Sequence, residues 1–296
     1  MIRATFLIFL SIFFISCSSK VQNLDSRIQT AFIYANKNNL NDEIIHTNNF
    51  DLFSLQNKNS FCEKLNVYIE GDGLSFLNKN TISTNPTPIN STILKLLSVD
   101  KSSCKVYIAR PCQYYTSAAC NNSYWTNKRF SSEVISSFNE AMDYLKLKYN
   151  NKSFVLIGHS GGGAVATILS ASRDDVDYLF TIAPNLDIQK WVELKRLTPL
   201  NGSLNPRDFV SKLENVKQYH LLGRNQRWSC RLHDFRWRFS WNRGRCKSRP
   251  GDQWCDLRYR SKSWSRICLK HSWCCSWSSL FSRLEVHRSS RCTSFS

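Results

Sequence analysis

Between Phe50 and Gly223 the chain alternates short β-branched and aromatic runs with helical patterns, and this alternation restricts the fold more than any other feature. The runs are Leu65 to Glu70, Lys105 to Ala109, Ser153 to Ile157, Tyr178 to Ala183 and Lys217 to Leu222. Runs this short and this apolar read as strands buried on both faces. Between two of them Val134, Phe138, Ala141, Met142, Leu145 and Tyr149 recur every three or four residues. That spacing predicts an amphipathic helix from Ser132 to Asn150, with Ser131 or Ser132 as its N-cap. The alternation predicts an α/β fold, a mainly parallel sheet covered by helices on both faces.

The hydrophobic share of 42% in 296 residues excludes disorder and collagen-like fibre, and the length fits one large α/β domain or two small ones. The net charge of +18 suggests nucleic acid until it is located along the chain. Residues 224–296 hold 14 Arg and 3 Lys against 4 acids, a net of +13, which leaves +5 for the first 223 residues. The same tail holds 7 of the 9 Trp and 7 of the 12 Cys but no Ala, and it offers few aliphatic residues for a core. The change comes at Leu222-Gly223-Arg224, without a linker. A shifted reading of AT-rich codons exchanges Lys, Asn and Ile for Arg, Ser, Trp and Cys, so the tail reads as translated out of frame, poorly ordered, and disrupting the C-terminal part of the fold. A genuine basic, disulfide-rich extension is the other reading.

At the N-terminus, Arg3 precedes an apolar run from Ala4 to Ile15 that is short for a transmembrane helix and suits a secretion signal. Phe14-Ile15-Ser16-Cys17 resembles the bacterial lipobox, with Phe14 where leucine is usual. The resemblance implies a signal peptide over residues 1–16, lipid attachment at Cys17 and a place in the bacterial cell envelope, periplasm-facing or at the cell surface. An ordinary signal peptide with an incidental Cys17 is the alternative. Residues 17–59 then form an N-terminal segment, 60–223 the core and 224–296 the atypical tail.

An exported chain meets oxidising conditions, so Cys62, Cys104, Cys112 and Cys120 are expected to pair. Cys62 and Cys104 each precede a strand, and neighbouring parallel strands would bring them to one sheet edge. Cys112 and Cys120 would close a short loop. The other pairings, and reduced buried cysteines, remain open at this point.

Gly158-His159-Ser160-Gly161-Gly162-Gly163 follows the strand Phe154 to Ile157 and opens the apolar helix Ala164 to Ala171. This is the context of a nucleophile elbow, a turn so tight that its flanks must lack Cβ and its serine projects above the sheet. The helix N-terminus beneath favours developing negative charge. Tyr68-Ile69-Glu70-Gly71-Asp72-Gly73 is a second strand running into a glycine loop, suited to supply a backbone N–H to an oxyanion hole together with Gly161. Asp72 precedes the serine in chain order and is read as holding this loop through side-chain to backbone hydrogen bonds.

With these motifs the chain resembles the serine α/β-hydrolases, and more narrowly a group of bacterial exported or lipoprotein hydrolases. Glu70-Gly71-Asp72-Gly73, Asn85-Pro86-Thr87-Pro88, Ala109-Arg110-Pro111-Cys112-Gln113-Tyr114, Tyr124-Trp125-Thr126 and Arg129-Phe130-Ser131 carry the resemblance. It continues through the elbow, Asn185-Leu186-Asp187 with Trp191, and Ser203-Leu204-Asn205-Pro206, covering residues from about 60 to 223. It implies Ser160 as nucleophile, with Gly161 and the loop Gly71, Asp72 and Gly73 as the oxyanion hole.

Acyl transfer needs a histidine base and an orienting acid. The resemblance implies both beyond Gly223, where this chain has Arg224, Asn225, Gln226 and Arg227. His233 with Asp234, His271 and His287 are weak candidates for the missing groups. Asp187 is an acid candidate within the core, although a role capping or orienting the Trp191 segment competes. His159 and His220 read as structural, and His46 lies in an exposed stretch.

The expected function is a serine hydrolase of a small ester, thioester or peptide substrate, impaired by loss of the acid and histidine segment. The alternative is a non-catalytic envelope lipoprotein or binding module. Membrane association would come through the lipid anchor. Nucleic-acid binding through Arg236-Trp237-Arg238 is disfavoured for an exported chain. Cys230-x-x-His233 and His271-x-x-Cys274 lack a zinc-binding frame, so no metal is expected. No phosphate loop or dinucleotide fingerprint appears, so no cofactor is implied.

Overall fold

The computed structural model describes residues 23–58, 61–223, 255–258 and 264–269. Their strands are β1 (Leu40–His46), β2 (Asp51–Asn57), β3 (Lys64–Ile69), β4 (Lys105–Ile108), β5 (Ser153–His159), β6 (Val176–Ile182), β7 (Lys217–Gly223), β8 (Cys255–Arg258) and β9 (Trp264–Leu269). Their α-helices are α1 (Leu24–Lys37), α2 (Thr92–Val99), α3 (Ser132–Tyr149), α4 (Gly161–Ser172) and α5 (Ile188–Lys195). One sheet contains all the strands, in the order β1-β2-β4-β3-β5-β6-β7-β9-β8. The five strands from β4 to β7 in that order are parallel, and antiparallel pairs flank them on both sides.

The period of two along each central strand explains the two-sided cover. Leu65, Val67, Ile69, Val106, Leu156 and Leu179 point into a core with α3 and α4. Tyr68, Tyr107 and Ile157 point the other way, into a core with α1 and α2. Helix α4 is buried from Gly161 to Ala171, as its Ala- and Gly-rich sequence permits. Ser131 is the N-cap of α3, and the helix ends at Asn150 in the left-handed conformation.

The five strands read from the sequence match β3 to β7 to within one or two residues. The sheet also extends past the expected boundary at residue 60. Residues 17–59, read as a segment outside the core, include α1 and the β1–β2 hairpin, whose second strand, β2, joins the sheet through pairs such as Leu55 with Tyr107, leaving β1 at the edge. On the other side, β9 lies antiparallel to β7, pairing Leu221 with Ile267, and β8 pairs with β9. Within residues 224–296 these two strands are the described part. Cys17 and the expected signal peptide lie outside the described residues.

The cysteine pairing left open by the sequence is Cys62 with Cys104 and Cys112 with Cys120, with Cα separations of 5.7 and 5.6 Å. The first bond joins the segments leading into the adjacent parallel strands β3 and β4. The second closes an eight-residue step in the loop after β4.

Candidate active site

Strands β3, β4 and β5 run in register, Ile69 beside both Ile108 and Gly158, so the loops that follow them emerge from one carboxyl edge. Ser160 sits there between β5 and α4 with φ 52° and ψ −120°, a conformation unfavourable for a residue bearing a Cβ. The neighbouring strand holds it: the Ser160 N–H donates to the Ile182 carbonyl at 2.9 Å. Its own carbonyl accepts from the Gly163 N–H at 3.0 Å. Ser160 is partly exposed, so the bend presents it to solvent.

The glycines around it are required by contact. A Cβ on Gly158 would lie 2.3 Å from the Gly162 carbonyl oxygen, and one on Gly162 would lie 2.3 Å from the Ile69 carbonyl oxygen. A Cβ on Gly161 would lie 2.0 Å from Asp72 Oδ1. Strand, helix and the loop after β3 therefore meet at a separation that no other residue allows. Gly161 opens α4, where N–H groups lack intrahelical acceptors.

The loop Gly71 to Gly73 lies against the elbow, and a Cβ on Gly71 would sit 3.6 Å from the Ser160 Cβ. Its N–H groups are not equivalent. That of Gly71 donates to Glu70 Oε1 at 2.8 Å, so Gly71 supplies closeness to the serine, while any donor from this loop must be Asp72 or Gly73. The Glu70 carboxyl also accepts from Tyr107 Oη at 2.9 Å and from Ser91 Oγ, and burial pushes its pKa up.

Asp72 holds the loop, but through side chains rather than the backbone contacts expected. Arg110 Nη1 donates to its Oδ1 at 3.2 Å and Arg129 Nη1 to its Oδ2 at 2.9 Å. Arg110 is fully buried against the Phe130 ring, and burial lowers its pKa to about 10. Gln113 adds a second tie, donating from Nε2 to the Gly71 carbonyl at 3.0 Å while its Oε1 accepts from the Arg110 N–H. The sequence reading quoted Arg110, Gln113 and Arg129 within its motifs but gave them no role. Their spacing carries no signal of a shared partner, because the contact with Asp72 exists only once the two loops meet.

The remaining candidates separate. Asp187 caps α5, its Oδ1 accepting from the Lys190 N–H at 3.0 Å, and its Oδ2 pairs with Arg207 at 2.9 Å. Both oxygens are thus engaged in the structural role. His159 is half-buried beside Gly71, and burial lowers its pKa. His220, within β7, has Nδ1 at 2.7 Å from Thr181 Oγ1, and burial lowers its pKa to about 4. Among the described residues no imidazole hydrogen-bonds to Ser160. His233, Asp234, His271 and His287 lie outside the described residues, as do Arg224 to Arg227.

The family model for the alpha/beta hydrolase fold matches residues 109–277, more than half of the chain. The chain belongs to the alpha/beta hydrolase fold family. The match continues past Gly223, where the resemblance read from the sequence stops. A search of curated protein sequences gives no match. Among solved structures, the chain is similar to an alpha-beta serine hydrolase homologue from Coxiella burnetii, with 12% identity and a TM-score of 0.36 over 54% of this chain and 70% of that one. It is similar to Est1E from Butyrivibrio proteoclasticus, with 15% identity and a TM-score of 0.38 over 61% and 76% of the two chains. The esterase PF2001 from Pyrococcus furiosus aligns at 12% identity and a TM-score of 0.39 over 62% and 68%.

Proposed function

We propose that the chain is built as a serine hydrolase in which Ser160 attacks the acyl carbon of an ester, thioester or peptide. The backbone of Ser160, forced to φ 52° on a glycine-flanked bend at the carboxyl edge of the sheet, is the observation that carries this reading. Attack would form the Oγ–C bond as the Oγ proton passes to the base and the carbonyl π pair moves onto oxygen, where the Gly161 N–H and an N–H of Asp72 or Gly73 would stabilise it. Collapse would break the bond to the alcohol, thiol or amine, which leaves with that proton, and water would then release the acyl group. The base and acid are assigned to the segment after β7. Substitution of that segment by an out-of-frame tail would leave the nucleophile without them; an uninterrupted α/β continuation in another reading frame after codon 220 would support this origin, and its absence would overturn it. In the same reading Cys17 carries a lipid and the domain faces the bacterial envelope.

A fluorophosphonate probe tests the reading. Weak labelling that disappears in Ser160→Ala supports an activated serine, since unactivated serine hydroxyls react poorly. Weak or absent labelling is expected from the chain with this tail, whereas detectable labelling that is equal in both proteins removes the nucleophile assignment and favours a non-catalytic envelope module.

A further inference from the structure

The loops after β3 and β4 rise from the same sheet edge as Ser160 and hold large apolar side chains in water. Phe76, Leu77 and Ile82 are 41%, 49% and 38% exposed, and Tyr115 on the second loop is 39% exposed. These are not residues of a frayed segment. Phe76 and Ile82 form a β-bridge, the Leu77 N–H donates to the Thr81 carbonyl at 2.9 Å, and the Ser83 N–H donates to the Ser75 carbonyl at 3.0 Å. Asn78 Oδ1 closes the tip by accepting from the N–H groups of Asn80 and Thr81. The base is fixed by the Leu74 N–H on the Pro86 carbonyl and by Trp125 Nε1 on the Ser83 carbonyl, each at 3.0 Å. Single exposed apolar residues are ordinary, whereas a hydrogen-bonded hairpin that presents three together marks an interaction surface.

Charge indicates the partner. Residues 73–132 contain one acid, Asp100, which accepts from Asn66 and Tyr68 and precedes β4 at the opposite edge of the sheet. The hairpin tip carries exposed Lys79 between two asparagines, and Lys128 stands over the Tyr124 ring on the neighbouring loop. Three side chains are too few for the roughly 800 Å² per partner buried in a stable protein interface. A lipid boundary, by contrast, takes up individual apolar side chains while basic residues meet its phosphates.

We propose that the 74–83 hairpin docks the domain on an anionic phospholipid surface, with Phe76, Leu77 and Ile82 entering the acyl boundary and Lys79 at the headgroups. Docking itself does not depend on Ser160. That it brings lipid-borne acyl groups to Ser160 rests on the hydrolase reading above.

Amide hydrogen exchange on the full chain, with and without phosphatidylglycerol–phosphatidylcholine vesicles, tests the docking residue by residue, and protection within residues 224–296 reads attachment through the basic tail separately. Vesicles are expected to slow exchange across residues 74–84 at least fivefold. Phe76→Ser with Leu77→Ser abolishes this protection, Phe76→Leu with Leu77→Ile retains it, and Ser160→Ala leaves it unchanged. Vesicle-bound protein without protection at 74–84 would show attachment through other segments and overturn the proposal. Protection without lipid that rises with protein concentration would assign the hairpin to a second copy and likewise overturn it.

Discussion

At the residue scale, the site depends on one carboxylate shared by two buried guanidinium groups. Asp72 engages Arg110 and Arg129 through separate oxygens and occupies the space that a Cβ on Gly161 would need. Its removal would leave Arg110 buried without its counter-charge, a change that typically destabilises by about 3 kcal/mol or more. Asp72→Asn is therefore expected to lower the urea midpoint by a corresponding amount. Arg129→Lys should cost less, since an ammonium still pairs with Asp72 but cannot keep the Nε contact to the Thr126 carbonyl. Equal midpoints for wild type and Asp72→Asn would contradict the clamp. The sequence exposed Ser160 and its flanking glycines because those requirements are local, set by one turn. It did not expose the clamp, because Arg110 and Arg129 reach Asp72 across 38 and 57 residues of chain.

At the scale of elements, the parallel strands were legible because their apolar runs are continuous, as burial on both faces demands. The β1–β2 hairpin was not. Its second strand is nearly all buried, yet it carries Ser54 and Gln56 inward, where Gln56 Nε2 donates to Ser54 Oγ and Tyr149 Oη lies 3.3 Å from Gln56 Oε1. Satisfied polar residues break the hydrophobic run without breaking the strand. A comparable local exception lies in β7, where His220 is held neutral beside Thr181. Its folded pKa of about 4 lies below the ordinary value of 6.5, so the unfolded chain binds its proton first as pH falls. The stability it supports is present above pH 6.5 and is lost between pH 6.5 and 4, on the order of 3 kcal/mol in full. His220→Asn, which keeps a partner for Thr181, is expected to flatten this part of the pH–stability curve measured by urea unfolding. A curve of unchanged slope would show that His220 does not titrate differently on folding.

At the scale of the whole molecule, the two disulfides fasten different parts of the fold. Cys62–Cys104 closes a 42-residue separation between the starts of two central strands, whereas Cys112–Cys120 closes one of 8 in the loop beside the site. Chain-entropy arguments give about 4 kcal/mol for the first and about 2.5 kcal/mol for the second. Paired alanine substitutions should therefore lower the melting temperature more for Cys62 and Cys104 than for Cys112 and Cys120. The reverse order would place the greater constraint in the loop. Export, lipid attachment and the origin of the tail belong to this scale too. They stand as proposals drawn from the sequence alone, and no folded contact reports them.

The bend at Ser160 takes its anchors from residues that precede β7: the Ile182 carbonyl, the α4 amides and the loop of Asp72. The hydroxyl is consequently set before the last quarter of the polypeptide contributes anything. On the proposed out-of-frame origin of the tail, the correct frame would need to deliver only an imidazole and its carboxylate to a bend already shaped. If the tail is out of frame as proposed, repair of the gene rather than redesign of the domain would be the shortest route to turnover.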